Sequence, residues 1–363
     1  MIPACDVPAG PHPTEDPGPL RLLSPDGRLC GEPSLAPGQA VDALRWMLLS
    51  QALDELAIKL QRLKRIGLYA PVSGQEATVV GSALALDPSR DWMVPASREQ
   101  VAMVHHGLPL LNLLAGYMGR LDHAGIPPGV RLLPRQQAIA AQLPHAAGLA
   151  WALKLRGERG AVLVYCGDGA SSEGDFHEAL NLAGVLRAPL VIVLINNRYA
   201  ISTPVRKQTA ASDLSKRALG YGFRGVAVDG NDVMAVHQAS QEAVRRALEG
   251  DGPTLIECRT YRLSFHNTSD NPREYRSDDE VEEARREDPV GRLRRYLLQA
   301  GLLSDADVAA LAAEQERALL EAQRVAAGLS RPDPASIFTH AYAVEAERLT
   351  RQHHQFSEGR VDG

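Results

Sequence analysis

Cysteine, aromatic side chains and an excess of positive charge are all scarce in this chain of 363 residues. The four cysteines, Cys5, Cys30, Cys166 and Cys258, have no close metal-ligand spacing, and two sit in apolar runs, so they read as reduced thiols of a cytoplasmic protein. Five Phe and nine Tyr leave the core to the abundant Leu, Ala and Val, which suits helices packed on a sheet. Lys and Arg number 39 against 44 acidic residues, a formal charge of -5, which argues against nucleic acid as a partner. No apolar run approaches the roughly 20 residues that cross a bilayer, so no membrane span is expected. Residues 1–18 also lack a signal-peptide core. No GxGxxG opens a helix, and the dinucleotide fingerprint is therefore missing.

What is present divides the chain into three parts. Residues 1–36 begin with Pro3, Pro8, Pro11, Pro13, Pro17 and Pro19 and read as a flexible or partly ordered extension. Residues 37–330 read as one α/β domain with helical additions, and 331–363 as a helical tail. Apolar faces predict one or two helices over 38–69 and another over 75–86, broken by Pro71-Val72-Ser73-Gly74. Residues 87–133 mix Pro, Gly, His and Arg and read as loop and short helix. The pattern over 136–154 is helical, with Pro144 expected to kink or start a segment.

From residue 161 the period changes. Apolar strands are expected over 161–166 and 189–195 with a helix over 173–185 between them, and strand, helix and strand recur over 226–228, 233–248 and 254–258. Repeated strand, crossover helix and strand predict a doubly wound parallel sheet. Further helices are expected over 293–298, 308–320 and 341–349.

Chemistry concentrates in Gly167-Asp168-Gly169-Ala170-Ser171-Ser172-Glu173 and in Asn196-Asn197-Arg198-Tyr199. Asp168 and Asn197 each follow a predicted strand, and strand C-terminal ends converge on the ligand crevice of such sheets. Glycines at 167 and 169 permit close approach to a diphosphate, while a carboxylate and an amide oxygen suit Mg²⁺. Taken singly, the GDG is an ordinary turn, and so is the Asn pair, because Asn tolerates left-handed backbone. Together they carry more: 26 residues lie between Gly169 and Asn196, room for one helix and one strand.

That GDG followed at this interval by NN resembles the thiamine-diphosphate signature. Through most of residues 40–325 the chain is similar to the alpha subunit of the two-subunit 2-oxo acid dehydrogenase E1 component. Its runs Asn267-Thr268-Ser269-Asp270 and Leu22-Leu23-Ser24-Pro25-Asp26-Gly27 resemble the branched-chain (2-oxoisovalerate) type more than the pyruvate type. The resemblance implies a transketolase-like fold with a central parallel sheet flanked by helices, thiamine diphosphate with Mg²⁺ as cofactors, and an α₂β₂ heterotetramer. It also implies oxidative decarboxylation of a branched-chain 2-oxo acid with transfer of the acyl group to lipoylated E2.

Residue by residue, it implies Asp168, Asn197 and the Tyr199 backbone carbonyl as metal ligands, although a Tyr here is equally a core residue. Ser97 and Arg98 match a phosphate-contacting segment, where an arginine's ordinary role is a surface ion pair. Arg262 and His266 match a loop over the cofactor, with His266 the catalytic candidate or a support of that loop. Ile139 matches an apolar cofactor contact and is otherwise a packing residue. Gly169, Ala170 and Glu173 complete the cofactor set, Glu173 by accepting backbone hydrogen bonds at the turn or pairing with His177.

Departures from the family pattern matter too. Ile195 stands where some relatives have a phosphate-binding arginine. Gln136, Ala138 and Ala141 replace the Ser and Thr of a potassium site, which is not expected here. Asn267 replaces a phosphorylated serine, while Ser277 lies near a second modified position as an ordinary serine in a charged loop. A pyruvate-specific E1 alpha subunit and a noncatalytic homologue are the alternatives.

Overall fold

The computed structural model describes residues 18–359 apart from 340 and 345, so the first part of the proline-rich extension lies outside the described residues. Five strands form the central sheet in the order β1-β2-β3-β7-β6, with every neighbouring pair parallel. They are β1 (Trp92–Val94), β2 (Val162–Gly167), β3 (Leu190–Asn196), β6 (Arg224–Asp229) and β7 (Thr254–Arg259). A two-residue hairpin, β4 (Tyr199–Ala200) with β5 (Thr203–Pro204), stands apart from the sheet. β1 falls in the stretch expected to be loop and short helix; three residues are too few to show a period.

Strand parity sorts the core into two layers. Leu163, Tyr165, Val191, Val193, Ile195, Ile256 and Cys258 face one layer, while Val162, Val164, Cys166, Leu190, Ile192, Leu194 and Leu255 face the other. The first layer is closed by α1 (Pro37–Arg62), α2 (Glu76–Ala83), α3 (Gln100–His105) and α4 (Leu110–Tyr117). The second is closed by α5 (Gln142–Arg156) and α6 (Gly174–Leu186). On the first face also lie α7 (Val233–Leu248), α9 (Pro289–Gln299) and α10 (Asp305–Gly328), with α8 (Asp278–Arg285) preceding α9. β3 is buried along its whole length, because helices cover both faces.

Local chemistry explains the boundaries. α1 is one continuous helix and ends before Lys64, which sits at φ 56. α5 starts at Gln142, later than the helical pattern begins, so Pro144 lies in the first turn where a missing N–H costs no helical bond. α7 is capped by Asp232, whose side chain accepts from Met234 N and Ala235 N. The other oxygen of Asp232 accepts from Leu22 N and Leu23 N at 2.6 Å each, and Leu20 bridges Val228. Residues 20–23 are thereby tied to the sheet edge. In the tail, α11 (Ser336–Thr339) precedes α12 (Glu347–Glu358), which starts later than the helix expected over 341–349.

Connection order positions the site. The chain passes from β2 to the adjacent β3 through α6, skips a position to β6, and returns through α7 to β7 between them. The two crossover helices lie on opposite faces, which opens a crevice at the C-terminal ends of β3 and β7. Among the described residues no helix is long and apolar enough to cross a membrane.

Candidate functional site

Parallel pairing sets Gly167 beside Ile195, so Asp168 and Asn197 leave the sheet on neighbouring strand ends. Asp168 is 2% exposed; its N–H donates to Ile195 O at 3.2 Å, and its Oδ2 accepts from Gln208 Nε2 at 2.9 Å. Burial raises the Asp168 pKa, opposed by the Gln208 hydrogen bond and by the charge of Arg262. Asn197 Nδ2 donates to Gln75 Oε1 at 3.0 Å, which turns Oδ1 toward Tyr199 N at 3.3 Å. Asn196 points elsewhere and donates to the buried Glu257 at 2.7 Å. The adjacent asparagines thus bond to different elements, Asn196 to Glu257 of β7 and Asn197 to Gln75.

The turn after β2 and the hairpin after β3 touch. A Cβ added to Gly169 would lie 2.7 Å from Ala200 Cβ, so only glycine permits this approach. Arg198 and Ile201 sit at φ 77 and 54, left-handed values costly for such side chains.

Behind this turn two buried arginines flank one imidazole. Arg262, 0% exposed, donates to Tyr199 O at 3.1 Å, Ile201 O at 2.7 Å and the Tyr275 hydroxyl at 2.7 Å. Its Nε is buried without a partner. Arg98 donates through Nη2 to His266 O at 2.8 Å and His266 Nδ1 at 3.1 Å, and through Nη1 to Pro71 O. Arg262 Nη1 lies 3.5 Å from the same Nδ1. Guanidinium groups only donate, so Nδ1 is the acceptor and the neutral ring carries its proton on Nε2. Burial, then the charges of Arg98 and Arg262, pull the His266 pKa down to about 4. Burial, with Arg262 nearby, lowers the Arg98 pKa to about 10, and burial lowers that of Arg262 as well.

The remaining expected residues divide. Ala170 is buried in the 3-10 turn Gly169–Ser172. Ser97 is exposed, its carbonyl accepting from Gln100 Nε2 at 3.1 Å. Ile139 is 64% exposed just before α5, which excludes the packing role. Glu173 occupies the cap position of α6 with the extended backbone usual there (ψ 149), but its exposed side chain makes no cap hydrogen bond. Its expected backbone contacts are not found, and His177 bonds the Tyr221 hydroxyl at 2.5 Å instead. Ser277 caps α8 by accepting from Glu280 N at 3.2 Å. The Tyr199 carbonyl is already engaged by Arg262, leaving one lone pair.

Gln75, Gln208 and Tyr275 were given no site role from the sequence, and Asp270 figured only as part of a run. The first two hold the side chains of Asn197 and Asp168 from distant segments, for which spacing provides no signal. Asp270 Oδ2 accepts from His266 N at 2.7 Å and from the Tyr275 hydroxyl at 2.6 Å. Among the described residues no group of three His, Cys, Asp or Glu is placed to hold a metal. A cation here would draw on one carboxylate with amide and carbonyl oxygens, donors that fit hard Mg²⁺. Two buried guanidinium groups, one with an unpartnered Nε, fit an anion beside it.

A family model described as dehydrogenase E1 component matches residues 44–335. Similar proteins include the pyruvate dehydrogenase E1 component subunit alpha of Staphylococcus aureus and that of Staphylococcus epidermidis. Each is 41% identical over 290 residues, covering 79% of this chain and 78% of the relative. The expected nearness to the branched-chain type is thereby overturned, since these relatives are pyruvate dehydrogenase alpha subunits. One of the runs that suggested it, around Pro25 and Gly27, packs on Arg295 of α9 and carries no pocket chemistry. The fold is the thiamine-diphosphate-binding E1 fold, a central parallel sheet flanked by helices, and the chain belongs to the dehydrogenase E1 component family.

Proposed function

We propose that this chain is the alpha subunit of a pyruvate dehydrogenase E1 component, holding the magnesium and diphosphate end of thiamine diphosphate at a site that a beta subunit completes. The supporting observation is the convergence of Asp168, Asn197, the Tyr199 carbonyl, Arg262 and His266 at the ends of β2, β3 and β7. Asp168 and Asn197 Oδ1 would hold Mg²⁺, with the Tyr199 carbonyl as a third oxygen. Arg98, Arg262 and His266 would meet the diphosphate charge, with Ser97, Gly169 and Ala170 lining the approach. Ile139 offers exposed apolar surface to the middle of the cofactor; Glu173 keeps no contact that supports a role.

Bound there, thiamine diphosphate supplies an electron sink for decarboxylation of a 2-oxo acid. His266 contributes a donor at Nε2, because both arginines occupy the acceptor side of its ring. Arg262 fixes the hairpin after β3 by holding two of its carbonyls, which keeps Tyr199 O facing the site. A beta subunit would supply the carboxylate that activates the aminopyrimidine, and a lipoylated E2 would take the acyl group.

Co-purification with a beta-type chain, comparing intact protein with Asn197→Ala, tests the reading. Mg²⁺-dependent retention of thiamine diphosphate is expected in the first and lost in the second; equal retention would overturn the ligand assignment. Pyruvate should be turned over in preference to 2-oxoisovalerate, and the reverse order would overturn the substrate assignment.

A further inference from the structure

The segment that carries Arg262 and His266 has no regular secondary structure, so its shape depends on what it leans against. It leans on residues 69–74. Leu263 N donates to Ser73 O at 3.1 Å, Thr268 N to Tyr69 O at 2.9 Å, and Tyr69 N to Thr268 Oγ1 at 3.2 Å. Pro71 O accepts from Arg98, the same guanidinium that holds His266 O. Gly74 sits at φ 90, where a Cβ would lie 2.1 Å from Tyr261 O.

This supporting segment is itself irregular, and one side chain from α1 holds it. Asp54, 5% exposed, accepts from the Tyr69 hydroxyl at 2.7 Å, from Val72 N at 2.9 Å and from Ser73 N at 3.0 Å. Burial pushes its pKa up to about 6, with these donors and Arg98 opposing, so it is a carboxylate at neutral pH. Burying a charge is costly unless donors surround it, and every donor here comes from the segment that supports the loop.

We propose that Asp54 is a positioning residue that acts through residues 69–74 to fix the 261–268 loop, and with it Arg98, Arg262 and His266. Its effect on cofactor binding rests on the function proposed above; its effect on the loop does not. An amide at this place keeps the shape but turns an NH₂ toward backbone N–H groups, which loses acceptors without changing volume.

The test uses the chain co-purified with its partner subunit, as intact protein and as Asp54→Asn. Hydrogen exchange without cofactor should speed up at Leu263, His266 and Thr268 while β2 and β3 stay protected. With Mg²⁺ present, KM for thiamine diphosphate should rise about tenfold, by more than kcat falls. Exchange in the loop that matches intact protein would overturn the proposal, as would a uniform rise across the sheet, which marks general destabilisation. Should Asp54→Asn fail to fold, Tyr69→Phe removes one donor and leaves the carboxylate; it should show a smaller rise at the same amides, and none would overturn the proposal. Intact protein that binds no thiamine diphosphate would instead count against the function reading, with the exchange result still deciding on Asp54.

Discussion

His266 is a histidine kept out of its usual titration range. Two arginines donate toward Nδ1, and a proton there would face both charges. Its ring should therefore titrate below pH 5, toward the value of about 4, in a nitrogen NMR titration; a midpoint near 6.5 would contradict the arrangement. The sign for stability follows. An unfolded loop takes up a proton that the folded loop refuses, so loop stability is full above pH 6.5 and declines as pH falls toward 4. Proteolysis of the 261–268 segment at pH 7 and pH 5 checks this, with faster cleavage expected at the lower pH. Glu76 behaves oppositely. It is 1% exposed, and burial with the charges of Asp288 and Asp54 raises its pKa to about 8. A raised carboxyl pKa contributes stability that is full below 4.5 and is lost as pH rises through about 8. Glu76→Gln should accordingly stabilise the protein at pH 8.5 by roughly 5 kcal/mol, read as a higher thermal midpoint, and change little at pH 5.

Elements meet here through contacts that local sequence does not announce. Gly169 and Ala200 belong to different turns, yet only 2.7 Å would separate a Cβ at 169 from the Cβ at 200. Gly169→Ala should weaken cofactor retention at least tenfold, and Ala200→Gly in the same protein should restore much of it by removing the opposing atom. Calorimetric titration of thiamine diphosphate with Mg²⁺ reads both, and absence of rescue would show that the approach itself is not what glycine serves. Asp232 is a second such joint. Four backbone N–H groups, from Leu22, Leu23, Met234 and Ala235, converge on its carboxylate. Asp232→Ala should cost about 3 kcal/mol in chemical denaturation and expose residues 20–23 to protease. Loss of an ordinary helix cap alone would cost about 1 kcal/mol and leave that segment protected.

At the scale of the molecule, the proposed function makes the candidate site one wall of an active site shared with a beta-type chain. Its charged groups line strand ends, and Ile139 and Ile201 project from its rim at 64% and 55% exposure. Both side chains offer apolar surface to the cofactor or to a second chain. The chain alone should therefore show no turnover of pyruvate, and mixing with a beta-type chain should produce it together with a species of higher mass in sedimentation. Turnover by the isolated chain would refute the shared site.

Continuous apolar runs determine the sheet: β2 and β3 were legible because strands buried on both faces are mostly apolar, and β7 was legible from Leu255, Ile256 and Cys258 although it also buries Thr254 and Glu257. The placement of Asp168 and Asn197 at strand ends was legible for the same reason, since polar residues that follow such a run lie at or just beyond the strand's end, as Asn196 and Asn197 do. The capping role expected of Glu173 is not met: the backbone at 173 has the extended form of an ordinary cap, but the longer glutamate side chain lies in solvent. Substrate type was misread from short loop runs, of which one packs against α9 and the other bonds within its own loop and to Tyr69. Asp54, Gln75 and Gln208 were invisible, because their partners lie 15 to 122 residues away and meet them only after the layers pack. Sequence by itself determined the layers and the ends of the strands, through periodicity and burial. Tertiary structure decided which polar groups face one another there, because hydrogen bonds between distant segments depend on where packing brings their ends.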